Sequence, residues 1–315
     1  MNLVIDRQME WLIGGILGLL ALASVVTWVL SRCVNSESAQ ATIQNLAARV
    51  RAWWMMVLVF GAAMLTGGIG SVLLFAVVSF LALREFITLT PSRPGDHRAL
   101  FLVFFVILPL QYYWVAIKWY GMFTIFIPVY AYLLVPMRSA AAGDTTRFLE
   151  RTAKIQWGLM VCVYFVSHAP ALLTLPVPHY QGQTAKLLFF LVFVVQISDV
   201  LQYVWGKTCG KHPVAPHVSP NKTIEGFVGG VLTATACGAA LWWITPFNPW
   251  QAAGMALLIT LMGFFGGLVM SAIKRDRGVK DYGALIPGHG GMMDRIDSLC
   301  FAAPVFFHVT RYYFT

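Results

Sequence analysis

Ten stretches of this sequence are apolar almost without interruption, and they decide what the chain can fold into. They run over 11–31, 53–67, 69–89, 99–117, 119–136, 155–175, 184–206, 224–245, 250–272 and 296–313. A helix needs about 20 such residues to cross a hydrocarbon layer of about 30 Å. Inside lipid, only helices and closed barrels satisfy every backbone polar group. Barrel strands alternate lipid-facing and lumen-facing side chains, and these runs do not alternate. The sequence therefore predicts an all-α, polytopic transmembrane protein of nine or ten spans, with residues 1–315 forming one membrane domain. The charge content agrees: 11% of the residues are charged, where a soluble domain carries about 25%. The run 53–67 is short, and Gly67, Gly68 and Gly70 join it to the next, so these two are open to a re-entrant reading. Asp6 and Glu10 flank Arg7 ahead of the first run. That is not a positive n-region, so Trp11–Leu30 reads as a span rather than a cleavable signal.

The charges between the runs set an orientation. With the N-terminus outside, alternating crossings put 18 of the 22 Lys and Arg on the inner side and leave Arg7, Lys118, Lys186 and Arg311 outside. Such an asymmetry orients membrane proteins. It predicts that the loops around 91–98, 207–222 and 274–295 face the cytoplasm, with the inner membrane of a bacterium as the expected location. The net charge of +9 is then mostly topological, with a secondary use for anionic lipid and nucleotide. No basic patch is interleaved with exposed aromatics, so nucleic acid is not an expected partner. The five cysteines are scattered and lack a CxxC spacing, which argues against a disulfide framework or a zinc site. Ile43, Leu46, Ala47 and Val50 recur at helical spacing in the 35–50 connector, which reads equally as an interfacial helix or a solvated linker. The segment Arg138–Lys154, with alternating charges, reads as a solvated face. His168 and Pro170 read as a packing and kink feature.

Two polar constellations break the apolar pattern. The first is Ser271–Asp297. Its 27 residues hold Lys274, Arg275, Arg277, Lys280 and Arg295, together with Asp276, Asp281, Asp294 and Asp297, and with His289 set among glycines 288, 290 and 291. A plain cytoplasmic connector explains the cations but not four Asp, a His and a Gly-Gly pair. Cations grip polyanions, carboxylates hold a divalent metal, and glycines let backbone approach phosphate oxygens. The second runs from Asp199 to Gly226. Asp199 lies deep in an apolar run, where a carboxylate is expensive and usually functional. Ser219-Pro220-Asn221-Lys222-Thr223-x-Glu225-Gly226 reads as the opening of a helix, capped by Ser or Asn, with Lys222 in reach of phosphate. Gly206-Lys207-Thr208 is like the end of a P-loop, but Leu201 stands where glycine is required and no strand precedes it, so a Walker site is rejected.

The run Ser271-x-Ile273-Lys274-Arg275-x4-Lys280-Asp281-x-Gly283-x2-Ile286-Pro287-x-His289-Gly290-Gly291-Met292-x-Asp294-Arg295-Ile296-Asp297 resembles the signature of the phosphatidate cytidylyltransferases (CDP-diacylglycerol synthases). Asp199, Tyr203, Gly206 and Ser219–Gly226 resemble that family's second conserved block. Leu201 and Gln202 depart from it, standing where small residues are usual and leaving the lipid substrate open. The likeness is strong over 195–310. Over 1–180 it is limited to a set of hydrophobic helices. The resemblance implies transfer of the CMP moiety of CTP to phosphatidate, with release of pyrophosphate. It implies Mg²⁺, with a second cation such as K⁺ as a further option, and membrane lipids and a homodimer as partners. A phosphate nucleophile needs no strong base, so the protein's task is positioning and charge neutralisation.

On this reading Asp281 and Asp294 are the first choices as metal ligands, with Asp199 and Asp297 next. Lys222, Lys274, Arg275, Lys280 and Arg295 hold phosphates, and His289 orients one or carries a proton. Asp199, Tyr203, Ser219, Asn221, Lys222, Thr223, Glu225, Ser271, Gly290 and Gly291 form the substrate-binding set. Asp281 and Asp294, on the cytoplasmic face, are expected to matter little for folding. The alternatives are CTP-dependent activation of another lipid phosphate, and a transporter. The second is disfavoured because the acids gather at one face instead of along the span centres.

Overall fold

The computed structural model describes residues 6–33, 37–90, 92–285 and 290–315. Among them are ten helices, one for each apolar run. They are α1 (Arg7–Cys33), α2 (Glu37–Leu65), α3 (Gly67–Thr88), α4 (Pro94–Ala116), α5 (Tyr120–Ala140), α6 (Phe148–Thr174), α7 (Ala185–Cys209), α8 (Ile224–Ala240), α9 (Pro249–Asp276) and α10 (Met293–Phe314). Helices α1 to α7 and α9 are long and apolar enough to cross a membrane. Helix α8 is shorter, at 17 residues, and α10 carries Asp294, Arg295 and Asp297 in its first turns.

In its described residues, 37–50, the connector is neither a loose linker nor a separate surface helix. From Glu37 it is continuous with α2, because Ala, Gln, Leu and Arg favour helix and no Gly or Pro interrupts them before Gly61. Only Thr66 separates α2 from α3, and Gly67 takes a left-handed φ of 81° to reverse the chain. Both helices are long enough to span, so the short run at 53–67 does not require a re-entrant pair.

Helix α6 is the central post: 72% of its most apolar stretch is buried, against 6% for α2. Helices α1 and α2 expose Trp11, Leu19, Leu22, Met55 and Leu58, as lipid-facing helices should. Short π-helical runs interrupt α4 (Val103–Ile107), α5 (Phe126–Ala131) and α6 (Met160–Phe165). The first two lie at or just before Pro109 and Pro128, whose missing N–H loosens the α-helical ladder.

The segment Arg138–Lys154 is largely exposed, as expected of a solvated face, with Arg147 and Glu150 open to solvent, but Arg151 departs from it. Arg151 is 5% exposed and pairs through Nε with Asp96 (3.2 Å) and through Nη1 with Asp144 (2.8 Å). Arg93 also binds Asp144 at 2.8 Å, and the Thr146 N–H beside it holds this carboxyl down at a pKa of about 2. These pairs tie the α3–α4 and α5–α6 loops together. Charge alternation in the sequence cannot tell an exposed ion pair from one closed over by a neighbouring loop.

The α3–α4 and α5–α6 loops, the α7–α8 hairpin and the α9–α10 loop all gather at one end of the molecule, as alternating crossings require. The charge rule predicts that this end faces the cytoplasm. Cysteines placed at Ser92 and Asp276, in a background lacking the exposed Cys33 and Cys209, should react with an impermeant maleimide only after cells are opened. Labelling of either in intact cells overturns the orientation.

Candidate active site

The α7–α8 connection is a hairpin, β1 (Pro213–Ala215) antiparallel to β2 (Ser219–Thr223). The sequence reading had a helix open at Ser219 with Ser or Asn as its cap. Instead α8 begins at Ile224, and Thr223 caps it, its Oγ1 accepting the Gly226 N–H at 3.1 Å. Pro220 explains the shift, since it biases Ser219 away from helical backbone. Glu225 secures the hairpin by accepting from the N–H of Lys211 (3.0 Å) and His212 (3.2 Å) and from His212 Nδ1 (2.5 Å).

Behind the hairpin α7 and α8 meet backbone to backbone. A Cβ on Gly230 would lie 2.6 Å from the Cα of Gln202, and one on Gly226 would lie 2.9 Å from the Cα of Gly206. Gln202 thus sits in a helix seam, where its Nε2 donates to Ser198 Oγ at 2.7 Å. Tyr203 is 66% exposed and is not brought to the site. Ser219 and Asn221 stay on the hairpin, with Asn221 exposed.

Lys222 crosses from the hairpin to α9. Its Nζ occupies the notch left by Gly267, where a Cβ would be 2.8 Å away, and it stands 4.9 Å over the Phe264 ring. Burial lowers the Lys222 pKa, while the charges of Asp297 and Asp199 push it back up. The two carboxylates come from different helices. Asp199 on α7 accepts Ser298 Oγ at 3.1 Å, and Asp297 on α10 accepts the Ser298 N–H through Oδ1 at 2.8 Å. Ser298 holds both. Each carboxylate keeps its Oδ2 without a hydrogen bond among the described residues.

Asp294 is placed differently. It is 7% exposed and has no oxygen to spare. Oδ1 accepts Lys274 Nζ at 2.8 Å, and Oδ2 accepts the N–H of Tyr282 (2.8 Å) and of Gly291 (3.0 Å). It folds the α9–α10 loop back on itself. Gly290, left-handed at φ 80°, makes room, since a Cβ there would meet Asp294 Oδ2 at 2.9 Å. Asp294 therefore belongs to the folded core of the site, contrary to the expectation that it matters little for folding.

Sequence reasoning missed Glu85. From α3 it accepts the N–H of Met292 (2.9 Å, Oε1) and Met293 (2.8 Å, Oε2). Its carboxylate caps α10 and favours the positive helix end. Gly283 and Gly291 exist for it: a Cβ on Gly291 would lie 2.3 Å from Oε2, and one on Gly283 would lie 2.9 Å from Oε1. The available signal was a lone carboxylate near the end of an apolar run.

The remaining candidates surround this core. Arg275 donates to the carbonyls of Val218 (3.2 Å) and Val279 (3.0 Å), joining hairpin to loop. Ser271 Oγ donates to its own helix at Gly267 O, 2.7 Å. The Arg295 Nε is enclosed without an acceptor among the described residues, which is the condition of a donor kept for a ligand. Lys280 and Asp281 are exposed at the loop surface. His289, with Ile286, Pro287 and Gly288, lies outside the described residues.

No three His, Cys, Asp or Glu side chains come together to hold a metal among the described residues. Asp199 and Asp297 do offer two carboxylates with an unspent oxygen each. Mg²⁺ usually takes one or two protein carboxylates and completes its shell with substrate phosphates and water, so the residues fit such an ion arriving with a nucleotide.

The model of the Cytidylyltransferase family matches residues 47–313. The chain belongs to the cytidylyltransferase family. It is also similar, at 39% identity over 97% of its length and 99% of the relative's, to "Uncharacterized protein YnbB" of Escherichia coli (strain K12). It is 30% identical to the phosphatidate cytidylyltransferase of Staphylococcus aureus (strain COL), over 79% of this chain and 92% of the relative. The enzyme of Staphylococcus haemolyticus (strain JCSC1435) stands at 29% over the same shares. In this cytidylyltransferase the family match takes in α3 and hence Glu85, well ahead of the region 195–310. The chain is an integral-membrane nucleotidyltransferase whose family implies CTP and a lipid phosphate as substrates.

Proposed function

We propose that the protein transfers the CMP moiety of CTP to phosphatidate, forming CDP-diacylglycerol and pyrophosphate at a cytoplasmic membrane face. The observation that carries this reading is the meeting of Lys222, Asp199 and Asp297 from three elements beside the Lys274–Asp294 latch. Two polyanions must come together in this reaction. Lys222 and Arg295 offset their charge, and Lys274 adds positive potential while it holds the loop. Asp199 and Asp297 would hold Mg²⁺, which supplies further neutralisation on the phosphates. The lipid phosphate oxygen then attacks the α-phosphorus, and pyrophosphate leaves from the opposite side. Asp281, exposed beside Gly290, is left as a ligand for an ion carried in with substrate.

Activation of a different lipid phosphate is the second reading. The family match supports CTP-dependent transfer to a lipid phosphate and leaves the particular lipid open. The Leu201 and Gln202 departure lends this second reading little, because Gln202 is engaged with Ser198 and the α8 glycines. Labelled CTP offered with phosphatidate and a panel of other lipid phosphates, with and without Mg²⁺, decides. The expected result is Mg²⁺-dependent CDP-lipid formed fastest from phosphatidate. Faster turnover of another lipid phosphate establishes the second reading, and no CDP-lipid from any of them overturns both.

A further inference from the structure

A cavity of about 210 Å³ lies at the end of the bundle opposite the signature loop, between the α4–α5 loop, the end of α6 and the last turns of α10. At 1.5 Å per residue, α10 carries Arg311 about 25 Å from Asp294, close to the thickness of a hydrocarbon core. Exposed Trp119, Tyr120, Tyr312 and Tyr313 ring this end, as aromatic side chains do at headgroup depth.

The polar lining of the cavity is donor-rich and holds no acid. Lys118 and Arg311 line it, no Asp or Glu does, and neither cation has an ion-pair partner among the described residues. Asp6, toward the same face, is taken by Lys186. Trp114 also lines the cavity, and its indole N–H is enclosed with no acceptor among the described residues. Arg311 is held 3.5 Å over the Tyr120 ring. Lys118 adopts left-handed backbone at φ 61°, just past a helix end, where glycine is usual. Two cations without ion-pair partners lining one space call for an anion with several acceptor oxygens.

We propose that this cavity binds a phosphate group at the membrane face opposite the nucleotidyl site. A lipid headgroup phosphodiester and a soluble phosphate share that chemistry. The test uses the full chain in neutral detergent and native mass spectrometry, with phosphatidylglycerol, phosphatidylcholine and inorganic phosphate as probes. The wild type should retain one phosphatidylglycerol that Lys118→Gln/Arg311→Gln releases, with affinity lowered roughly tenfold or more. Lys118→Gly guards against a merely misfolded variant: it relaxes the backbone, so its melting temperature should not fall, yet it should lose the phosphate. Lipid retained against excess inorganic phosphate assigns the cavity to a headgroup. Phosphate bound by wild type alone, with no lipid retained, assigns it to a soluble compound. Equal retention of every probe by wild type and variants overturns the proposal.

Discussion

Asp297→Asn should lower turnover on the order of 10³-fold and leave the melting temperature nearly unchanged, whereas Asp294→Asn should cost stability first. Asp297 has one oxygen bound to Ser298 and one unspent. On the proposed reading, removing its charge takes away a carboxylate that would hold a substrate-borne metal ion, an effect of several kcal/mol at about 1.4 kcal/mol per tenfold. Asp294 spends both oxygens on Lys274, Tyr282 and Gly291. Asparagine there leaves Lys274, only 11% exposed, without its counter-charge. Breaking a buried pair in this way costs about 3–5 kcal/mol. The measurement is turnover against Mg²⁺ concentration beside a thermal melt, for each variant in purified form. A normal Mg²⁺ requirement in Asp297→Asn removes that residue from the metal site. An unshifted melt in Asp294→Asn removes the latch.

Glu85→Ala should destabilise the site from the other side of the molecule. Two N–H groups at the start of α10 lose their acceptor together, and each orphaned buried donor costs about 1–3 kcal/mol. The loss should reach roughly 2–5 kcal/mol in a thermal or denaturant melt and carry turnover down with it, since Asp294, Arg295 and Asp297 ride on that helical turn. Glu85→Gln is the sharper variant. It keeps the size but turns an amide N–H toward one of the two N–H groups, so it should recover only part of the loss. Full activity and an unshifted melt in Glu85→Ala would show that α10 needs no cap from α3.

The spans were legible because lipid imposes a one-dimensional rule. A helix must be apolar for about 20 residues to cross, and that requirement is written contiguously in the chain. The signature was legible for a related reason: Lys274, Arg275, Asp294, Arg295 and Asp297 sit on the end of one helix and the start of the next, so their spacing survives in the sequence. Lys222 was equally visible, as a charged residue beside Asn221 that a helix cap did not explain.

What the sequence could not order was the work done by each acid. Asp199, Asp281, Asp294 and Asp297 are alike in a one-letter string. They part company only when Ser298 is set between Asp199 and Asp297 and when the loop closes on Asp294. Arg151 likewise reads as one more surface charge until the α3–α4 loop brings Asp96 onto it. Glu85 lies more than 200 residues from the N–H groups it caps, and no local pattern connects them. The sequence by itself determined the membrane fold, the end of the bundle where the polar residues gather and the family chemistry, because hydropathy and motif spacing are properties of neighbouring residues. Tertiary structure alone decided which carboxylates keep an oxygen for a ligand and which spend both on the loop, because hydrogen-bond satisfaction depends on groups that only the packing of α3, α7 and α9 against α10 brings together.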